Sequence, residues 1–300
     1  MRVAIIGGGA IGLLFSYHLK KEHDVVLYVR RQSQKAEIEA KGIVVRKRED
    51  SFHTYLDVKG FGEWEKDAPF DLVIVCVKQY QLQTVLEKIS LSTEQTVLFI
   101  QNGMGHLKII DQYKLEHVLV GSVEHGAYRE NDQIVYHTGE GQTKIAVYQG
   151  WNQEIIRELM GSTVKKFPFS FEDDYKKMLQ KKLVANAVIN PLTALLEVQN
   201  GMLLDNPHYY QAFTTLFKEI SNILVLEEEQ LYFENVKRIC RNTAHNQSSM
   251  LKDLHAGRET EVEAILGYLI DEAEKKNIHA PLITTFFHLI KGSEVEGGGK

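Results

Sequence analysis

Short apolar runs alternate with helical periodicity along the first half of the chain. The runs are rich in β-branched residues and predict strands over residues 3–6, 24–29, 72–77, 96–100 and 118–120. The run at 72–77 is continuously apolar, which is typical of a central parallel strand covered on both faces. Because strands alternate with helices, we expect right-handed βαβ units in a doubly wound sheet. The runs at 134–137 and 144–148 flank a glycine-rich turn and predict a closing hairpin.

Long segments of 3.6-residue periodicity dominate after about residue 170. They predict helices over residues 174–198, 208–229, 231–254 and 260–276. Thr260 and Glu263 have the spacing of a capping box at the start of the last one. We therefore expect an α/β domain over residues 1–168 and an all-helical domain over 169–292. The polar, glycine-rich tail at 293–300 is predicted to be disordered.

Composition narrows the class of protein. The chain has 300 residues, 44% of them hydrophobic and 25% charged, as in a soluble globular protein of two domains. A net charge of -5 gives no reason to expect a nucleic-acid or membrane partner. Cys76 and Cys240 match no zinc or CxxC spacing, so we expect no metal. The opening MRVAIIGGG has no room for a signal peptide, which favours a reducing cytoplasm.

A glycine-rich turn follows the first predicted strand. Gly7, Gly9 and Gly12 form a GxGxxG pattern, which is weak evidence alone but here lies between a strand and a helix. Gly7 would allow the tight turn, Gly9 the approach of a pyrophosphate, and Gly12 the close packing of helix and strand. The first-turn N–H groups, at Ala10 and Ile11, would then meet the phosphates. The pattern predicts a Rossmann-type dinucleotide-binding domain.

The end of the second strand distinguishes between cofactors. A domain that binds NAD usually places Asp or Glu there, whereas this chain has Arg30 and Arg31 and no carboxylate. The guanidinium group of arginine suits a 2′-phosphate, because it is planar and always charged. The alternative is two solvated arginines. The sequence favours NADPH.

Polar residues also follow two other strands. Lys78 ends the run at 72–77, and Asn102 follows the run at 96–100. In open α/β sheets ligands bind outside the carboxyl ends of the strands, so both residues are candidates for contact with the nicotinamide or the substrate. The alternatives are a snorkelling lysine and an Asn-Gly turn.

One apolar helix contains a row of polar residues. In QKKLVANAVINPLT, Lys182, Asn186 and Asn190 recur every four residues and share one helix face. Lys182 alone would be interpreted as a solvated lysine. Two buried unpaired carboxamides would each cost ~1–3 kcal/mol, however, so we interpret the row as the wall of a cleft. Pro191 predicts a kink or break in the helix at its edge.

Glu261 lies between the two residues of the predicted capping box. It precedes Ile265 and Leu269 by four and eight residues, which places it on the edge of a buried stripe. A carboxylate there is either a partner of the helix dipole or a residue that faces a cleft. The local pattern leaves both open.

Six blocks together resemble the ketopantoate reductase (2-dehydropantoate 2-reductase) family over nearly the whole chain. They are GGGAIG, VCVK, QNGMG, KLVANAVINPLTA, QNG at Asn200 and SSMLKDLHAGRETEVE. The resemblance implies that Lys182 is the catalytic lysine and Glu261 its partner. It implies a substrate pocket lined by Asn102, Asn186, Asn190, Asn200 and Ser249. It also implies that Arg30 grips the 2′-phosphate and that Lys78, Asn102 and Ala127 contact the cofactor, although the family often has small polar residues just before Ala127.

The function implied by the resemblance is NADPH-dependent reduction of ketopantoate to pantoate, in pantothenate and coenzyme A biosynthesis. NADPH would supply the hydride and Lys182 the proton. The expected partner is a small 2-oxo acid, and by fold analogy a second copy of the chain. Two alternatives stay open: reduction of another branched 2-oxo acid, and a non-catalytic protein that senses NADPH.

Overall fold

The chain forms two compact units. The computed structural model describes residues 1–64, 69–161 and 167–297, with side chains up to residue 295. The first unit comprises Met1–Gln101 and Lys108–Met178, and the second comprises Asn102–Leu107 and Leu179–Lys300. The first unit thus extends ten residues beyond the boundary predicted at 168. The segment 102–107, although it follows a strand of the first unit, groups with the second.

Strands and five helices build the described part of the first unit. The strands are β1 (Arg2–Ile6), β2 (Asp24–Val29), β3 (Ile43–Lys47), β4 (Asp50–Thr54), β5 (Asp57–Gly60), β6 (Leu72–Val75), β7 (Thr96–Phe99), β8 (His117–Val123), β9 (Gly126–Arg129), β10 (Ile134–Gly139), β11 (Thr143–Gln149) and β12 (Phe169–Phe171). The helices are α1 (Ala10–Leu19), α2 (Gln32–Lys41), α3 (Gln79–Lys88), α4 (His106–Ile110, which begins in the second unit) and α5 (Gln153–Met160). A 3₁₀ turn covers Phe61–Glu63.

The larger sheet confirms the predicted doubly wound fold. Its eight strands lie in the order β12-β11-β8-β7-β6-β1-β2-β5, and all neighbours are parallel except β8 and β11. The strand order reverses at β1, which pairs with β2 on one side and β6 on the other. Val3 to Ile6 of β1 are fully buried, as expected for a strand covered on both faces. The carboxyl ends of β1 and β6 therefore form the switch point where such sheets bind ligands.

The glycine turn after β1 requires residues without a Cβ atom at two positions. Gly7 has φ +113°, and a Cβ atom there would lie 2.8 Å from Cγ1 of Val77, just beyond β6. A Cβ atom on Gly12 would overlap the carbonyl oxygen of Gly7. The first turn of α1 can therefore pack against the end of β1 only with glycine at this position. The local roles predicted for Gly7 and Gly12 agree with this packing.

The predicted hairpin over 134–148 is wrong. β10 and β11 lie in different sheets: β11 pairs with β8 and β12, whereas β10 pairs with β3 and β9. The smaller sheet has the order β4-β3-β10-β9. The glycines between β10 and β11 allow the chain to cross between sheets; Gly141, for example, packs against the carbonyl of Glu124 so closely that a Cβ atom would overlap it.

Three buried histidines pack around one phenylalanine in the first unit. The rings of His18 and His125 stack on Phe167 at centroid distances of 4.4 and 4.2 Å, and His125 Nδ1 lies 3.2 Å from His137 Nε2. Burial, with Lys21 as the next contribution, lowers the pKa of His18 to about 3. Burial also lowers the pKa of His125 to about 4 and lowers that of His137. The cluster is therefore neutral at pH 7 and packs as part of the core.

Helices make up the second unit, as predicted. They are α6 (Tyr175–Leu196, which begins in the first unit), α7 (Met202–Asp205), α8 (Pro207–Leu224), α9 (Glu229–Asn242), α10 (Ser249–His255), α11 (Tyr268–Lys275) and α12 (Pro281–Gly297), with a π-helical segment over Glu263–Gly267. The segment predicted as one helix over 231–254 is two, because Ser248 caps a new helix by accepting from Leu251 N–H. None of the helices in the described ranges is long and apolar enough to span a membrane.

Three further predictions for this unit are wrong. The helix α6 continues through Pro191 to Leu196, so the predicted break there is wrong, while the alternative of a kink stays a prediction. Thr260 forms no capping box with Glu263, because the Thr260 N–H donates to Glu294 instead. The tail is helical up to Gly297, where 293–297 were predicted to be disordered; residues 298–300 lie outside the described part.

The glycine turn yields a stability prediction. Gly12→Ala should lower the free energy of unfolding by about 3 kcal/mol, because the added Cβ overlaps backbone that cannot move aside without disturbing β1. Gly9→Ala is the matched control: its Cβ meets nothing within 4 Å, so its cost should stay below about 1 kcal/mol. Urea unfolding followed by circular dichroism measures both. Equal losses in the two variants would contradict the packing described.

Candidate functional site

The glycine turn leaves open space where a phosphate would lie. Gly9 precedes α1 in an extended conformation and is exposed, and no atom lies within 4 Å of its notional Cβ. The N–H groups of Ala10 and Ile11, in the first turn, have no helical acceptor because of their position. Backbone donors at a helix N-terminus beside open space form an anion-binding site. The turn therefore fits the pyrophosphate of a dinucleotide.

Two side chains that sequence reasoning missed hold this turn in place. Nε2 of Gln34 donates to the Gly8 carbonyl at 2.7 Å and to the Asp132 carbonyl at 2.9 Å. The Arg129 guanidinium donates to the same Gly8 carbonyl at 3.2 Å. Gln34 is buried, which its polar surroundings in the sequence do not indicate. The turn is thus fixed by bonds from α2 and β9 as well as by its own glycines.

Arg30 borders a cavity next to the end of β2. The cavity has a volume of about 540 Å³ and is lined by Arg30, Gln32, Lys35, Gly60, Phe61, Gly62, Glu63 and Lys88. Arg31 is paired with Asp132. Arg30 is exposed and has no ion-pair or hydrogen-bond partner within the described ranges. Arg30 is therefore the arginine of this pair that is available to an anionic ligand.

The charges around this cavity are mostly positive. Lys35 binds both carboxylate oxygens of Glu63 at 2.8 and 2.7 Å, and Gly60 N–H donates to one of them at 2.6 Å. The Lys35 hydrogen bond lowers the pKa of Glu63, and the same contact raises that of Lys35. With this pair neutralised, Arg30 and Lys88 leave an excess of positive charge. A phosphate at the end of β2 suits this charge better than a neutral ribose.

Lys78, another predicted cofactor contact, occupies the position just before the helix that follows β6. It is half-buried at the N-cap of α3, with Nζ 5.9 Å from the ring centroid of Tyr80. The Gln101 amide donates to the carbonyls of Val75 and Val77 at 2.9 Å each, which fixes the backbone just before Lys78. Ala127 lies half-buried on β9, opposite His137 in the ladder. The predicted cofactor residues thus belong to the first unit, with Asn102 as the exception.

Asn102 and Glu261, predicted from distant blocks, are in direct contact. Nδ2 of Asn102 donates to Oε2 of Glu261 at 2.9 Å, and both side chains are half-buried. Gly103 has φ +78°, and a Cβ atom on it would overlap the carbonyl oxygen of Ala264. The loop at 102–107 can therefore lie against the π-helical segment that follows Glu261. π-helical segments occur frequently at functional sites, and no pattern in the sequence indicates this one.

The row on α6 is partly buried. Lys182 and Asn186 are half-buried, and Asn190 is buried with 7% exposure. One turn further on, the hydroxyl of Thr193 lies 2.7 Å from the Ile189 carbonyl and 2.8 Å from the hydroxyl of Ser248. This contact attaches the end of the row to the start of α10.

Asn200 and Ser249 lie near the segment that joins α9 to α10. Asn200 N–H donates to the Asn246 carbonyl at 3.0 Å, and its Nδ2 donates to the hydroxyl of Thr243 at 2.8 Å. Its buried Oδ1 has no partner in the part of the chain that the structure describes. Ser249 is exposed at the first position of α10. The structure therefore joins Asn102 to Glu261 directly and holds Asn200 through separate bonds to Asn246 and Thr243.

Comparison with known proteins supports one family. The model of "Ketopantoate reductase PanE/ApbA" matches residues 3–150, and that of "Ketopantoate reductase PanE/ApbA C terminal" matches residues 174–294. A 2-dehydropantoate 2-reductase of Bacillus subtilis (strain 168) is 39% identical over 295 residues, 98% of each chain. One from Listeria innocua is 35% identical over 298 residues, 99% of this chain and 98% of the relative.

Solved structures give the same result. The crystal structure of the probable 2-dehydropantoate 2-reductase panE from Bacillus subtilis superposes with a TM-score of 0.89 at 39% identity, over 98% of this chain and 100% of that one. D-mandelate dehydrogenase with NADH and anilino(oxo)acetate superposes with a TM-score of 0.90 over 99% of each chain, but at 23% identity it shares the fold alone. The two family models together match most of the chain, and this chain belongs to the ketopantoate reductase family.

Proposed function

We propose that this chain reduces 2-dehydropantoate (ketopantoate) to pantoate with NADPH, a step of pantothenate and coenzyme A biosynthesis. The observation that carries the proposal is the near-full-length identity to relatives named for this reaction. It is supported by the contact between Asn102 and Glu261, because that contact joins two of the blocks on which the family resemblance rests. A protein that only sensed NADPH would not need this polar arrangement.

The first unit holds the cofactor. Gly9, Ala10 and Ile11 bind the pyrophosphate through backbone N–H groups, with the N-terminus of α1 as the positive end of a dipole. Arg30 binds the 2′-phosphate through its planar guanidinium. Lys78 and Ala127 line the cofactor in the same unit. When bound, NADPH supplies the hydride for the reduction.

Lys182 provides the proton. A ketone that accepts a hydride becomes an alkoxide, and the ammonium group of Lys182 both stabilises this negative charge and protonates it. Glu261 is the partner carboxylate, and the Asn102 amide orients it through the 2.9 Å hydrogen bond. Lys182 is on α6, a helix of 22 residues, and a position on a helix holds a side chain more precisely than a position on a loop.

The asparagines bind the polar groups of the substrate. Asn186 and Asn190 follow Lys182 on α6 and offer donors and acceptors without adding charge. The buried Oδ1 of Asn200 has no hydrogen-bond partner among the described residues, so it is able to accept a hydrogen bond from a hydroxyl group of the substrate. Ser249 adds a hydroxyl at the first turn of α10. A substrate with a carboxylate and a hydroxyl group matches this set.

The setting and assembly of the chain are part of the same proposal. Both cysteines are free thiols, and burial raises the pKa of Cys76 and raises that of Cys240 to about 12, which suits a reducing cytoplasm. A ketopantoate reductase from Staphylococcus aureus that shares the fold is described as dimeric. We propose a homodimer here, which analytical ultracentrifugation tests.

The function is tested by NADPH oxidation with a panel of branched 2-oxo acids. We expect ketopantoate to have the highest kcat/KM by a wide margin. A higher kcat/KM for another 2-oxo acid would identify that acid as the substrate instead. If none of the acids supported NADPH oxidation, the result would favour the alternative of a non-catalytic protein that senses NADPH.

In the same assay, Lys182→Ala should lower kcat by at least about 100-fold, because the alkoxide loses its proton donor and the positive charge of the ammonium group. NADPH affinity, measured by fluorescence titration, should stay unchanged. Lys181→Ala is the matched control, since Lys181 is the exposed neighbour on the same helix. Near-normal turnover in Lys182→Ala would show that Lys182 is not the proton donor.

The two arginines after β2 test the cofactor preference. Arg30→Ala should weaken NADPH binding about 10- to 100-fold and leave NADH binding nearly unchanged, because the 2′-phosphate loses a charged hydrogen-bond partner. Arg31→Ala, which instead breaks the pair with Asp132, should affect the two cofactors alike. Titration with each cofactor measures both variants. An equal loss for NADPH and NADH in Arg30→Ala would show that Arg30 does not read the phosphate.

A further inference from the structure

The residue before Glu261 is held by a carboxylate from the far end of the chain. Oε1 of Glu294, on α12, accepts from the Thr260 N–H at 2.8 Å and from the Thr260 hydroxyl at 2.6 Å. The same hydroxyl accepts from the Val262 N–H at 3.2 Å. The backbone is therefore fixed on both sides of Glu261.

This anchor is charged and lies mostly out of contact with water at Thr260 and Glu294, whereas Lys291 is half-buried. Thr260 is 2% exposed and the Glu294 side chain 9%, while Oε2 of Glu294 pairs with Lys291 Nζ at 2.7 Å. Burial raises the pKa of Glu294, but the hydrogen bonds from Lys291 and Thr260 outweigh it and lower the pKa. Both carboxylate oxygens are engaged, which is the condition under which a buried ion pair is tolerated.

Ion pairs withdrawn from water seldom stabilise a fold more than apolar packing would, and this pair is only partly withdrawn. Its geometric effect is different, because a carboxylate with two donors on one oxygen fixes the position of both. The donors belong to the residue next to Glu261, at the point where the chain enters the π-helical segment Glu263–Gly267. Other bonds of this segment lie at Arg258, which pairs with Asp253, and at Glu261 itself, which accepts from the Asn102 amide.

We propose that Glu294 is a positioning residue for Glu261, so that the C-terminal helix α12 sets the geometry of the catalytic carboxylate. The inference rests on the proposed function, because it requires Glu261 to act on the reaction. A catalytic group displaced by about 1 Å can lower turnover by about 100-fold, so this anchor can control the rate without touching substrate or cofactor.

The structure offers a matched control at the other end of the same helix. Glu219 accepts from the N–H groups of Leu282 and Ile283 at 3.2 and 2.8 Å, at the start of α12. Glu219 thus accepts two hydrogen bonds at the first residues of α12, and Glu294 likewise accepts two from Thr260. The Glu219 bonds, however, lie at the opposite end of α12 from the contact with Thr260. Glu219→Ala should affect stability without a specific effect on turnover.

The test compares five variants with the wild-type protein in ketopantoate turnover, thermal unfolding and NADPH titration: Glu294→Ala, Glu294→Gln, Glu219→Ala, Glu261→Ala and the double variant Glu261→Ala/Glu294→Ala. Glu294→Ala should lower kcat/KM about 10- to 100-fold while NADPH affinity stays within about twofold. Glu294→Gln keeps an acceptor oxygen for Thr260 and should recover most of this loss. In a Glu261→Ala background, the same Glu294→Ala change should lower kcat/KM less than about twofold further, because the two residues act as one unit.

Three outcomes would overturn the inference: unchanged kcat/KM in Glu294→Ala, an equal loss in Glu219→Ala, or the same fold loss with and without Glu261. Absence of ketopantoate turnover in the wild-type protein would instead reject the proposed function. Amide hydrogen exchange then tests, independently of turnover, whether Glu294 fixes the backbone around Glu261. Faster exchange of residues 258–266 in Glu294→Ala but not in Glu219→Ala supports the anchor, and unchanged exchange in both rejects it.

Discussion

The close approach of the Gly103 backbone to the Ala264 carbonyl is the constraint on which the candidate site depends. It places Asn102 beside Glu261 and attaches the loop at 102–107 to the helical unit, although this loop follows a strand of the other unit. The positive φ of Gly103 and the absence of a Cβ atom are both required there. One glycine therefore connects two blocks that lie about 160 positions apart in the chain.

The cofactor turn uses the same physical device. Gly12 packs on the Gly7 carbonyl because it lacks a Cβ, while Gly9 leaves the space that a pyrophosphate needs. Around both glycine contacts, amide and carboxylate side chains fix the backbone: Gln34 at the cofactor turn and Glu294 beside Glu261. In this protein, glycines allow two backbone segments to approach each other closely, and hydrogen bonds from polar side chains then hold the backbone beside those contacts in place.

Local patterns made the strands β1, β2, β6, β7 and β8 and the helix that carries the α6 row predictable, whereas β3, β4, β5, β9 and β12 have no counterpart among the predicted strands. The run of β1, the glycine turn and the row from Lys182 to Asn190 each lie within about a dozen residues, so periodicity and spacing suffice to find them. The predicted hairpin is wrong because β10 and β11 do not pair with each other but with β3 and β8, respectively. The capping box failed for the same reason, since Glu294 displaces Glu263 as the partner of Thr260. Long-range partners such as Gln34 and Glu294, and the π-helical segment, leave no periodic signal in the sequence.

The most direct test of this account is ketopantoate turnover and NADPH affinity in Gly103→Ala. The added Cβ would overlap the Ala264 carbonyl, so the loop must leave the π-helical segment and separate Asn102 from Glu261. We predict a loss of kcat/KM of at least about 100-fold, a smaller loss of NADPH affinity because Asn102 is also a predicted cofactor contact, and unchanged helical content by circular dichroism. Turnover equal to that of the wild-type protein would contradict the central role of this contact.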